Sequence, residues 1–176
     1  MARHFVADEP PAAVVADLEA AYLRTGGSIR AMANALIDSP AAWSGELTKI
    51  RRPEELLIAS LRALVPAGRF RPDDEKRARI AAALTALGQA PWSAPSPEGW
   101  PDTAADWLGG EALLTRLKWS WELGRIGATL GTDPKGLADD ILPGALSRRT
   151  MKTLKSAPDR QTGLALLLAS APFQRR

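Results

Sequence analysis

GQAPWSAPSPEGWPDTAADWLGGEALLTRLKWSWELGRIG, residues 88–127, is the stretch around which the chain is organised. It carries five of the six tryptophans, and so concentrates the largest apolar side chains in one place. Its first half is rich in proline and its second half is strongly apolar. Pro91, Pro95, Pro97 and Pro101 each fix φ and remove a backbone donor. Each also pushes the preceding residue away from helix. No strand ladder can run through such a segment, so residues 90–102 read as a long extended loop. Trp92 and Trp100 stand at its two ends, and loops of this length are usually functional or packed down by their own side chains.

Beyond the loop the chemistry changes to that of a helix. Asp102 or Thr103 can cap a short turn over Thr103–Leu108, which Gly109-Gly110 should end. Glu111 then opens a helix to about Gly127, where an acid favours the start. At 100° per residue this helix has two apolar stripes. One is Leu113, Leu114, Leu117 and Trp121; the other is Trp119, Leu123, Ile126 and Leu130. A helix apolar on both sides is expected to be packed between neighbours. Lys118, Glu122 and Arg125 share the polar strip, with a Glu122–Lys118 pair expected across one turn. The expected arrangement is a Pro/Trp-rich loop stapled by its aromatics onto a central hydrophobic helix.

Working outward, the same signals repeat. Asp8-Glu9-Pro10-Pro11 is helix-entry chemistry, and Gly26-Gly27 is a stop. Ser28 can cap a helix to Asp38 with Ile29, Met32 and Leu36 inward, and Ser39-Pro40 opens a single turn to Trp43. A polar connector over 44–52 leads to Pro53-Glu54-Glu55 and a helix to Leu64. A basic loop with Arg69 and Arg71 precedes a helix over 73–87. Later helices are expected at 134–142, from Ser147 to about Ser156, and from Asp159 to Ser170. Leu36 to Trp43 and Leu167 to Phe173 share a small device: an apolar helix end, a serine that can cap the next turn, and an aromatic that folds back. Met1 to Val6 shows no start signal for an element. The whole predicts an all-α protein: a single globular domain over 1–176, an orthogonal bundle of about seven or eight helices.

Composition excludes several chemistries. The chain of 176 residues has no cysteine and one histidine, His4. Disulfides, thiolate metal sites and cysteine nucleophiles are therefore excluded, and neither a metal site nor a cofactor is expected. His4, so near Met1, is a poor general base. No apolar run approaches 18 residues, so no membrane insertion is expected. The first residues do not have the form of a signal peptide, which leaves the compartment open, and cytoplasmic as the sequence stands. The net charge is +3, but residues 144–176 hold seven basic and one acidic side chain. Arg148, Lys152 and Lys155 form a basic stripe there. A solvated face is the reading of that stripe, with nucleic-acid binding the disfavoured one.

These residues also carry a family resemblance. HFVADEPP (4–11), LIDSPAAW (36–43), KIRRPEELLIASLRAL (49–64), LGQAPWSAPSPEGWPDTAADWL (87–108), LLTRLKW (113–119) and LLLASAPFQRR (166–176) follow one another in order. Together they resemble the C-terminal part of a large bacterial family known as domain of unknown function 1800. The tail reads Ser-Ala-Pro-Phe where that family tends to have Ser-Pro-Glu-Phe. The resemblance implies no reaction and no catalytic residues. It does imply a longer protein with an N-terminal helical region, so Met1 is expected to stand where such a chain continues upstream.

Four functional classes follow. The first is a non-catalytic module that packs on that N-terminal region or on a partner protein, through His4, Phe5, Val6 and an adjoining apolar surface, with a homo-oligomer as a variant. The second is a site for a glycan or other ring-bearing ligand beside residues 89–102. There Trp92 and Trp100 would stack, and Asp102, Asp106 and Arg116 would supply polar contacts. The third is a hydrolase using only carboxylates, drawn from Asp102, Asp106 and Glu111, although helix capping explains these acids more cheaply. The fourth is nucleic-acid binding by the basic end.

Overall fold

A computed structural model describes residues 1–45, 47–66 and 70–176. Arg69, expected in the basic loop, lies outside the described residues. Among the described residues there are twelve helical segments and no strand, so the chain is all-α. Eight of the segments are eight residues or longer, which are the seven or eight helices expected; the other four are single turns. The chain divides into two compact units, Met1–Lys49 with Asp102–Ala104, and Ile50–Pro101 with Ala105–Arg176.

The first unit holds α1 (Ala2–Phe5), α2 (Ala12–Thr25), α3 (Ile29–Asp38) and α4 (Pro40–Trp43). Its core is Ala2, Val14 and Leu18, with Val6, Met32 and Leu36 packed against them. The turn α1 had no local signal; it exists where burial of Ala2 and Val6 holds it against α2. The start of α2 also differs from expectation. Pro11, not Asp8, is its N-cap residue, because Asp8 is used elsewhere. Gly26 ends α2 in the left-handed conformation, where glycine bears no Cβ penalty. The Ser28 hydroxyl accepts from the Ala31 N–H at 3.3 Å, as expected of a cap. Ile29, expected inward, is exposed.

The second unit holds α5 (Pro53–Leu64), α6 (Asp74–Ala86), all but the first residue of α7 (Ala104–Trp107), α8 (Gly110–Thr129), α9 (Pro134–Ile141), α10 (Arg148–Lys155), α11 (Arg160–Ala169) and α12 (Ala171–Gln174). Leu56, Leu64, Leu123, Leu164, Leu168 and Phe173 form its main core. Asp73, Asp133, Ser147 and Asp159 each accept the backbone N–H three residues on, so four helices start where side-chain capping chemistry puts them. Gly109-Gly110 does not end a turn. Gly109 is the N-cap residue of α8 and Gly110 its first residue.

The repeated serine device is present in both units, with one change. Ser39 and Ser170 occupy the N-cap positions of α4 and α12, but neither hydroxyl caps. The Ser39 hydroxyl donates to Asp17 Oδ2 at 2.6 Å, and that of Ser170 donates back to the Leu167 carbonyl at 2.7 Å. The aromatics do fold back. The Trp43 indole donates to the Ile37 carbonyl at 2.7 Å, and Phe173 is buried in the core.

Candidate functional site

The central helix α8 turns an unexpected face inward. Its buried residues are Arg116, Ser120, Leu123, Gly124 and Gly127, a stripe of mostly small or polar side chains. The reason is the closeness of α11. A Cβ added at Gly124 would lie 2.6 Å from the Gln161 carbonyl oxygen, and one at Gly127 would lie 2.8 Å from both Leu164 and Leu64. Helix backbones approach this closely only where side chains are nearly absent. The apolar stripe Leu113, Leu114, Leu117 and Trp121 is thereby left outside, with 45 to 52% of each residue exposed. The expectation of a helix packed on both apolar sides is corrected on this point. Glu122 also pairs with Arg125 at 3.2 Å, one turn ahead, and not with Lys118.

Arg116 is the largest fully buried side chain, with 2% exposed. Its guanidinium donates to the Trp107 carbonyl at 3.1 Å, to Gln174 Oε1 at 3.0 Å and to the Arg51 carbonyl at 2.7 Å. Burial pushes its pKa down to about 10, which still leaves it charged at neutral pH. Its charge is met by neutral oxygens from three separate segments. Arg51 repeats the pattern: its guanidinium donates to the Phe173 carbonyl and lies 5.2 Å from the Phe173 ring centre. Arg116 is thus a bracket that ties α7, α12 and the segment before α5 to the central helix. Its head, expected to supply a polar contact to a ligand, makes these three hydrogen bonds within the protein.

The proline-rich loop is pinned at both ends and open in the middle. Buried Gln89 accepts the Glu54 N–H at 2.8 Å, which satisfies a free donor at the start of α5. At the other end the Trp107 indole donates to the Pro101 carbonyl at 3.1 Å, and Trp100 packs beside it with ring centres 6.3 Å apart. Trp92 does not staple anything. It is fully exposed and, among the described residues, is the non-glycine residue with positive φ, at 60°. Asp106 is exposed on α7.

A model of the family described as "Protein of unknown function (DUF1800)" matches residues 1–175. The chain belongs to this family. No curated protein and no solved structure matches it. What a DUF1800 chain of this sequence offers is therefore read from its own geometry.

In this DUF1800 member a second buried cation organises the first unit. Lys49 is 1% exposed, and its ammonium meets Asp8 Oδ1 at 2.7 Å, Asp102 Oδ2 at 3.1 Å and the Asp102 carbonyl. Asp8 also accepts the Ala104 N–H at 2.7 Å, and His4 Nδ1 lies 2.9 Å from Asp102 Oδ2. Burial alone would raise the Asp8 carboxyl, but the Lys49 and Ala104 hydrogen bonds outweigh it and hold it below its usual range. An ammonium has three N–H donors and no acceptor, and all three are used here. It is a clasp, not a base waiting for substrate. Asp102 and His4, expected in a ligand site and an interface respectively, are brought together by it. Val6 goes into the unit's core, while Phe5 stays exposed.

Arg148, Lys152 and Lys155 line one recess of about 520 Å³ with Met151 and Leu146 in its wall. The sequence reading of this family member missed Lys49, Asp8, Arg51, Gln89 and Gln174. A lysine or arginine in a polar connector is read as solvated by default, because such residues are almost never fully buried unless paired.

Proposed function

We propose that the chain is a non-catalytic helical interaction module. Its α8 stripe is the docking face, and its occupant is an apolar helical segment of the N-terminal region that the resemblance assigns to longer family members. The observation that carries this reading is the row Leu113, Leu114, Leu117 and Trp121, half exposed on the longest helix. Each Å² of such surface removed from water contributes about 25 cal/mol. Apolar anchors repeating at helical spacing are the form in which one helix receives another. Glu111 and Lys118 lie on the same helix without an ion pair among the described residues, and so can set the register of an incoming partner.

The test mixes the chain with the separately purified N-terminal region of a longer family member and measures mass by light scattering after gel filtration. A one-to-one complex that Leu117→Glu abolishes supports the reading. A chain that stays alone, or a complex indifferent to Leu117→Glu and Leu113→Glu, overturns it.

A second reading is favoured by Trp92, a fully exposed indole held in a left-handed backbone conformation. Such a ring can stack on a sugar or another flat ligand. Loss of binding in a glycan panel on Trp92→Ala would support it. A carboxylate-only hydrolase has less support, because Asp102 is already engaged by Lys49 and His4.

A further inference from the structure

The opposite side of α8 faces a different environment. There Trp119 and Ile126 of α8, Leu61 of α5 and Ile80 of α6 wall a cavity of about 550 Å³. That size falls among small-molecule pockets, roughly 300–1,000 Å³. Among the described residues the polar lining is Arg71, Lys76 and Arg79, all cations. Lys76 is paired with Asp73 and Arg79 with Glu75, whereas Arg71 has no ion pair among the described residues. The Trp119 indole nitrogen in this wall is buried, with no hydrogen-bond partner among the described residues.

We propose that this cavity is a binding site for a long-chain carboxylate, an amphiphile with an apolar tail and an anionic head. The tail lies among the leucine, isoleucine and tryptophan side chains of α5, α6 and α8. The head meets Arg71, whose planar fork matches a carboxylate with two parallel hydrogen bonds. The positive rim disfavours a cationic amphiphile, and a neutral one gains only the tail. The site lies apart from the Leu113–Trp121 stripe and does not depend on the docking reading.

The experiment titrates the full chain by calorimetry with dodecanoate, dodecanol and dodecyltrimethylammonium, each below its micelle concentration, and follows tryptophan emission in parallel. Dodecanoate should bind about tenfold more tightly than dodecanol, the gain expected from a charged hydrogen-bonded head. Arg71→Gln should remove that difference. Ile80→Trp, which fills the cavity, should abolish binding of both. Ile126→Trp takes its place if circular dichroism finds Ile80→Trp unfolded. Leu117→Glu, on the other face, should change nothing. Equal binding of acid and alcohol, tighter binding of the ammonium, indifference to Arg71→Gln and to the filling variants, or no binding at all would each overturn the proposal.

Discussion

Replacing Gly124 with alanine adds one methyl group at the closest approach of α8 to α11. In an open helix that change is favourable, since alanine exceeds glycine in helix propensity by about 1 kcal/mol. Here the new Cβ would sit 2.6 Å from the Gln161 carbonyl oxygen, 2.9 Å from the Ala165 nitrogen and 3.2 Å from the Ala165 Cβ. The two nearest atoms are backbone and cannot swing aside, so α11 must shift. Overpacking of this kind costs about 1–3 kcal/mol, and a backbone clash belongs at the upper end. After the propensity gain, Gly124→Ala should destabilise by about 2 kcal/mol, a fall in Tm of roughly 4–8 °C for a chain of this size. Gly110→Ala is the control, on the same helix with nothing within 4 Å of the added methyl. It should be neutral or gain up to about 1 kcal/mol. Gly127→Ala should fall between them, because its neighbours are the ends of two leucine side chains. Thermal and urea melts followed at 222 nm measure all three. If Gly124→Ala proves as stable as Gly110→Ala, the close α8–α11 contact is wrong, and with it the account of why the leucine stripe faces out.

Three further expectations follow from the clasps and the tryptophans. Lys49→Met leaves two carboxylates facing one another without their cation. Losing one side of a fully buried pair costs about 3–5 kcal/mol, and since Asp8 and Asp102 are partly exposed about 2–3 kcal/mol is expected, read from urea titration. Stability conferred by Asp8 should be fully present above the ordinary carboxylate pKa and be lost as pH falls through its lowered folded value; Asp8→Asn should flatten that acid limb, and an unchanged limb would remove Asp8 from the account. Acrylamide should quench a red-shifted fraction that Trp92→Phe and Trp43→Phe together diminish, leaving protected emission from buried Trp107; uniformly shielded emission in the unaltered chain would contradict the exposed loop.

Much of the helix inventory was legible from short-range chemistry. Ser28, Asp73, Asp133, Ser147 and Asp159 cap by hydrogen bonds that span three residues, and prolines act on their immediate neighbours, so a local reading suffices. The long loop expected at 90–102 was legible for the same reason. The candidate site was less so. Trp92 and the leucine stripe were visible as residues, but not the direction in which they point.

Which face of α8 turns inward is a matter between two helices. Periodicity favours the leucines because it weighs apolar area, whereas the structure selects Gly124 and Gly127, because lack of side chain permits the closest approach to α11. Arg116 and Lys49 went inside against their composition, since burial of a cation becomes tolerable only when distant segments deliver oxygens to it. Residues 51, 107 and 174 meet at Arg116, and residues 8 and 102 meet at Lys49. No window along the chain contains either set. The sequence by itself therefore determined where most of the helices begin and end, and the tertiary structure alone decided which polar groups hold them and which apolar face of α8 remains exposed.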